Sequence, residues 1–160
     1  MQYKPFLTAG LNRPGNIICI CDHASNIVPP FWGSDGLGLK KSDMNRHIAF
    51  DLGAKDLTLQ LAKLFKGPAV LSNFSRLVID PNRGKDDPTL IMKLYDGTII
   101  PENTIISKKE KQRRLKEYYE PYHSAIDKLL ERIEKPIIIS IHSFTPKLKN
   151  GKIRPWEIGI

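Results

Sequence analysis

The sequence predicts an α/β fold built on a mainly parallel sheet, and three observations predict it. Ile17–Cys21 and the run from Pro136 to His142 are short, continuously apolar and rich in β-branched residues, as strands covered on both faces are. Between them a helical periodicity leads into a third such run, Ala69–Ser72, which is the order of a β-α-β unit. The first and last runs stop at histidines, His23 and His142. In open α/β sheets the loops leaving the carboxyl ends of parallel strands converge on one edge, so both imidazoles could serve one metal ion.

Composition narrows the class. A chain of 160 residues is one domain's worth, expected here as a single domain over 1–160, and it buries roughly two-thirds of the surface that its unfolded form exposes. With 41% hydrophobic and 26% charged residues it has the balance of a soluble globular protein. Lys and Arg number 25 against 17 Asp and Glu, and the resulting +8 favours anionic partners. The basic run Lys108–Lys116 reads as a solvated helix face; it lacks the interleaved aromatics of a nucleic-acid module, so nucleic acid is not an expected partner. No apolar stretch approaches the roughly 20 residues of a membrane span, and the first residues lack the basic and apolar segments of a secretory leader. Cys19 and Cys21, two apart on one strand, share a face but are poorly placed to bond each other. A reduced, cytoplasmic protein is expected. The sequence does not set its oligomeric state.

Residues 1–15, with Pro5, Gly10, Pro14 and Gly15, read as an irregular arm. After the His23 loop, Pro29 to Gly38 is rich in turn residues, and Phe31 and Trp32 are expected to cover something. A helix follows, capped by Ser42 or Asp43, with Phe50, Ala54, Leu57, Leu61 and Leu64 as its buried stripe and Gly67-Pro68 as its end. Arg76–Asp80 reads as another short strand. Lys85–Thr104 reads as a polar surface excursion. Ser107 and Glu110 form a capping box that opens a long helix with Leu115, Tyr118, Tyr122, Ile126, Leu129 and Ile133 inward, and Pro121 predicts a kink. Pro136–His142 is the strongest strand. Arg154–Ile160 begins like one more.

Chemistry-bearing side chains gather at strand ends. Asp22, His23, Ser25 and Asn26 offer a carboxylate, an imidazole, a hydroxyl and an amide within five residues. Arg76, Asp80, Asn82 and Arg83 crowd another strand end, and paired guanidinium groups suit recognition of an anionic small molecule, although Arg76 and Asp80 also read as a structural pair. His47 and Asp51 lie four apart on the expected helix, as an imidazole and the carboxylate that orients it would. A serine hydrolase is not supported, because neither Ser25 nor Ser143 sits in a Gly-flanked elbow.

Seven stretches in register resemble the N-formylglutamate amidohydrolase family: Cys21-Asp-His-Ala-Ser-Asn26, His47–Ala54, Ser75–Arg83, Pro101-Glu-Asn103, Pro121-Tyr-His123, His142-Ser-Phe-Thr-Pro146 and Arg154-Pro-Trp156. The resemblance implies a three-layer α/β/α sandwich around a mixed sheet, of the zinc-exopeptidase kind, and hydrolysis of N-formyl-L-glutamate to formate and glutamate, a late step of histidine breakdown. It implies one zinc ion held by His23, Asn26 and His142. Asn26 is a neutral amide where related hydrolases carry a carboxylate, so Asp22 or Asp51 would supply the charge. By the same resemblance Arg76 would polarise the scissile carbonyl, Asn82 and Arg83 would grip the glutamate carboxylate, and Arg154 and Ser143 would add substrate contacts. Asp22, His47, Asp51 and Asp80 would support these groups from behind. Members continue beyond the Arg-Pro-Trp segment to a water-activating Glu. In this sequence Glu157, where the family expects a histidine, is the substitute that the terminal segment offers, and a shortened member that binds ligand with weak or no turnover is the alternative expectation.

Overall fold

The computed structural model describes residues 3–160; Met1 and Gln2 of the expected arm lie outside them. In chain order the elements are β1 (Phe6–Ala9), β2 (Ile17–Cys21), α1 (Lys41–Met44), α2 (Ala54–Leu64), β3 (Ala69–Ser72), β4 (Leu94–Tyr95), β5 (Thr98–Ile99), α3 (Pro101–Thr104), α4 (Lys108–Arg114), α5 (Glu120–Arg132) and β6 (Ile137–Ser140). Four strands form the main sheet in the order β1-β3-β2-β6. The central strand β2 runs parallel to both neighbours, pairing Cys19 with Ala69 on one side and with Ile139 on the other, while β1 adds to β3 antiparallel.

Successive side chains of a strand point to opposite faces, and here each face has its own cover. Ile18, Ile20 and Val70 pack with Tyr118, Tyr122, Ile126 and Leu129 from the long carboxyl-terminal helix. Cys19, Cys21, Ala69 and Leu71 pack instead with Ala54 and Ala62 of α2. Helices on both faces of a mixed, mainly parallel sheet give the three layers that the sequence predicts.

Four local expectations are corrected. The amino-terminal arm contributes β1, whose Phe6 to Ala9 pair with Ser72 to Ala69. The helix expected from Ser42 to Leu64 divides, because Gly53 adopts φ 76° and α2 starts after it. The stripe that α2 buries is Ala54, Thr58 and Ala62, small enough to bring the helix close to the sheet, while Leu57 and Leu64 face outward. Gly67 completes that close approach, since a Cβ there would lie 1.9 Å from the Ile17 carbonyl oxygen. The kink expected at Pro121 is taken up one turn earlier, by a π turn over Leu115–Tyr119 that joins α4 to α5. The capping box forms as read, with the Ser107 hydroxyl accepting from the Glu110 amide at 3.1 Å.

The fourth correction shapes the site. Arg76–Asp80 is no strand but a buried chain of turns, and its amides bond across the fold: Arg76 to Ala49, Val78 to Ser75 and Asp80 to Leu90. Its carbonyls are held by side chains. Asn103 donates to Leu77 O and Met92 O, both at 2.8 Å, and the fully buried Arg114 donates to Val78 O at 2.8 Å and to Asn103 Oδ1 at 2.7 Å. A buried backbone group without such a partner costs about 1–3 kcal/mol. The segment thus keeps an irregular path that aims Arg76 and Asp80 at the end of β2.

Candidate active site

At the carboxyl ends of β2 and β6, adjacent parallel strands, His23 and His142 meet with ring centroids 5.0 Å apart. Between them stands Asp51, delivered by the turn before α2 and pinned by its own amide to the His23 carbonyl at 3.0 Å. Asp51 Oδ2 lies 3.3 Å from His23 Nδ1 and 3.0 Å from His142 Nδ1, and it accepts from the Ser143 amide. One ligand atom from each of His23, Asp51 and His142 falls within 4.8 Å of the others.

Each imidazole is backed by a second carboxylate. His23 Nε2–H donates to Asp80 Oδ1 at 2.8 Å, and Asp80, fully buried, also accepts Arg76 Nη2–H at 2.7 Å and the Asn82 amide at 2.9 Å. His142 Nε2 lies 3.3 Å from Asp22 Oδ2. Asp22 is held by hydrogen bonds from Tyr122 OH at 2.8 Å and Ser140 Oγ at 3.0 Å. Such backing fixes the tautomer that leaves Nδ1 of both rings facing Asp51, as it does behind metal-binding histidines. Two imidazole nitrogens and a carboxylate oxygen are also the donor set that zinc takes in catalytic sites.

The charge states follow from these contacts. Hydrogen bonds to Asp22 and Asp51, working against burial, raise His142 to about 9. Burial opposes a proton on His23, but the bonds to Asp51 and Asp80 outweigh it and raise this group too. Burial disfavours the charge of Asp51, yet hydrogen bonds from His142 and His23 hold it well below the usual carboxylate range, and Asp22 and Asp80 are lowered in the same way. In the absence of a cation the cluster therefore carries protons where a metal would carry charge.

Beside the three residues opens a cavity of about 160 Å³ whose wall also includes His47, Arg76, Asn82, Tyr95, Ser143 and Arg154. Arg76 reaches inward from behind, with Nη1 3.3 Å from His23 Nδ1 and 3.6 Å from Asp51 Oδ1. The larger surface grooves lie elsewhere and are lined mainly by apolar and long-chain residues.

The structure gathers most, but not all, of the residues singled out from sequence. His23, His142, Arg76, Asn82, Ser143 and Arg154 border the cavity. Asp51 moves from an expected supporting place to the centre. Asn26 faces away, its amide donating to Met44 O at 2.9 Å and Asn45 Oδ1 at 3.2 Å. Arg83 is exposed outside the wall, its carbonyl held by Tyr119 OH, and Glu157 is exposed in the terminal segment. The expected His47–Asp51 pair does not form, because the residues between them are not helical, and His47 lies against Asp96 at 3.3 Å instead. Sequence reasoning missed Tyr95, Thr145, Tyr122 and Ser140. The Asp96-Gly97 pair was the available signal for the first, since it marks a tight β4–β5 hairpin. Tyr122 carried only the signal of a core stripe.

Together, the fold and this cluster define an α/β protein with a His-Asp-His cluster at the carboxyl edge of its sheet. Residues 15–160 match the family model of N-formylglutamate amidohydrolase, and the chain belongs to that family. It is 30% identical to an N-formylglutamate deformylase of Pseudomonas putida over 107 residues, which is 56% of this chain and 40% of the relative. The solved structure of the Agrobacterium tumefaciens gene product Atu2144 superposes with a TM-score of 0.89 at 29% identity, over 95% of this chain and 61% of that one. The N-formylglutamate amidohydrolase of Ralstonia eutropha shares the fold, with a TM-score of 0.71 at 23% identity over 88% of this chain and 57% of its own. The chain thus spans between two-fifths and three-fifths of the length of these relatives.

Proposed function

We propose that this chain carries the reaction centre of a zinc-dependent hydrolase that removes the formyl group from N-formyl-L-glutamate or a closely related N-acyl amino acid. The observation that carries the reading is the convergence of His23 Nδ1, Asp51 Oδ2 and His142 Nδ1 beside the Arg76 guanidinium, on the wall of a small polar cavity. His23, Asp51 and His142 would hold the ion, with Asp51 in the place that the family resemblance gave to Asn26. A divalent ion there supplies Lewis acidity, which makes water a stronger acid and draws charge from an acyl oxygen.

The protein's own groups supply the rest. Asp80 and Asp22 would hold the two imidazoles by their Nε2 protons and leave Nδ1 as the atom that takes either a proton or the ion. Arg76, fixed by Asp80, places a guanidinium where negative charge develops on the acyl oxygen as water adds to the carbonyl; donors so placed commonly contribute about 2.7–4 kcal/mol to the barrier. Cleavage of the C–N bond then releases formate, and the departing nitrogen takes a proton to give the free amino acid. Asn82 and Arg154 are positioned on the cavity wall to contact the substrate's polar groups, with Ser143 fixing Asp51 through its amide. The partner is a small anionic amino-acid derivative. The buried free thiols Cys19 and Cys21 favour a cytoplasmic setting, and among the described residues no helix is long and apolar enough to cross a membrane.

A second reading is favoured by one observation. Asp51 is the one carboxylate on the cavity wall, and Glu157 stands away from it, so these residues offer no separate base beside the three ligands. A protein that binds metal and ligand without turnover would look the same. Assay of formate release from N-formyl-L-glutamate, with zinc bound and quantified, decides between them: turnover lost in His142→Ala supports the hydrolase, and stoichiometric zinc with no turnover supports the binding protein.

A further inference from the structure

The lining of the cavity beyond the three clustered residues has a composition of its own. Among the described residues three buried side-chain polar atoms lack a hydrogen bond, Arg76 Nε, Thr145 Oγ1 and His47 Nε2, the last of these lying 3.3 Å from the Asp96 carboxylate, and all three belong to residues lining this one cavity. Arg76 is more than nine-tenths buried, and its Nε–H can only donate, so it calls for an oxygen acceptor in the cavity. Arg154 closes the same wall, its guanidinium tied to the Thr145 carbonyl at 3.2 Å and seated over the Phe144 ring. Opposite this cationic and hydroxyl-bearing surface the cavity offers only the Asp51 carboxylate, which the two imidazoles already occupy.

Tyr95 forms the remaining face. Its ring lies under the Arg76 guanidinium at 5.3 Å and edge-on to the His47 ring at 6.2 Å. The hairpin that presents it is fastened on both sides. Asp96 bonds Arg46 at 3.3 Å and accepts the Lys149 amide at 2.7 Å, and Arg46 also reaches Thr98 at 2.6 Å. Asp96 and Gly97 both have positive φ, 44° and 74°, as the tight turn between paired strands requires. The ring is thus a fixed wall rather than a loose cover.

We propose that His47, Thr145 and Arg154 form a carboxylate subsite for the acidic side chain of the amino acid, and that Tyr95 sets how long that side chain can be. The proposal rests on the amidohydrolase reading, but it concerns residues other than the three that would hold zinc. Arg83 and Glu157 do not supply this subsite, since both lie outside the cavity that Asn82 lines.

Calorimetric titration with L-glutamate, L-glutamine and the one-methylene-longer L-2-aminoadipate tests it, on metal-free and zinc-loaded protein. Glutamate is expected to bind at least about tenfold tighter than the isosteric glutamine, because a site built to pair a charged group rejects the analogue lacking it. Thr145→Val and His47→Ala should shrink that ratio toward one while leaving zinc affinity unchanged. Tyr95→Ala should admit aminoadipate, which the wild type discriminates against by about tenfold or more. Equal binding of glutamate and glutamine, no glutamate binding in either form, or a ratio untouched by Thr145→Val overturns the subsite. Unchanged rejection of aminoadipate in Tyr95→Ala overturns the role of the ring. Loss of zinc binding or of formate release, with the glutamate preference intact, would instead count against the hydrolase.

Discussion

Asp51 Oδ2 and His142 Nδ1 meet at 3.0 Å across 91 positions of sequence, and the same oxygen lies 3.3 Å from His23 Nδ1. One carboxylate therefore faces both imidazoles. If these three groups hold the ion, Asp51→Asn lowers zinc affinity by more than the roughly 10–100-fold that removal of an outer partner costs. Asn26→Ala, facing Met44 and Asn45, leaves it unchanged. Chelator competition measures both, and equal effects of the two substitutions would refute the assignment.

Arg76 and Asp80 form a buried pair at 2.7 Å, and His23 completes it. Arg76→Ala strands Asp80 without its cation, which costs on the order of 3–5 kcal/mol of stability. Arg76→Lys keeps a charge but loses the fork that spans Asp80, His23 and Asp51 at once, so it should unfold at a denaturant concentration between those of wild type and Arg76→Ala. Urea titrations followed by circular dichroism give the order.

The pH response of metal-free protein has a defined sign. His142 binds its proton more tightly folded than unfolded, with a folded value of about 9 against an ordinary 6.5. Its contribution to stability is complete below the lower value and fades as pH rises through the upper one. Asp22, Asp51 and Asp80 are lowered, so their contribution is complete above the ordinary carboxylate range and fades as pH falls. The thermal midpoint should therefore drop on both sides of neutrality, and His142→Gln should flatten the alkaline side. If zinc binds here it competes with the proton on His142, so its affinity should climb with pH over the range where His142 loses that proton.

Asn103 carries two carbonyls, Leu77 O and Met92 O, and receives Arg114. Asn103→Ala leaves these groups buried without partners, at about 1–3 kcal/mol each. Because Leu77 follows Arg76, the variant should, on the hydrolase reading, also lose catalytic rate in excess of its loss of stability. Kinetics on folded protein, at a temperature where unfolding is negligible, separates the two effects.

The layered architecture was legible because Ile17–Cys21 and Ala69–Ser72 are apolar runs of covered strands; Ile137–Ser140, equally apolar and expected to be covered on both faces, is instead the edge strand, with Ile137 and Ile138 exposed. His23 and His142 were legible as partners because each ends one of those strands. The central place of Asp51 was not, since a four-residue spacing suggests a helix, whereas α1 ends at Met44 and the chain runs in turns up to α2. The turns of Arg76–Asp80 imitate a strand in composition, and what prevents one is the side-chain support of Asn103 and Arg114, from far along the chain. Tyr95 was hidden in a stretch whose polar, turn-rich composition suggests only surface.

The six strands are not equal in time. Among the described strands β6, which delivers His142, is made after the other five, and its partner in the main sheet is β2, made more than a hundred residues earlier. At any point before β6 has emerged and docked, a nascent chain holds His23 and Asp51 but lacks the third member of the cluster. If His23, Asp51 and His142 hold an ion, its capture waits for β6 to pair with β2, whatever the order in which the rest of the fold forms.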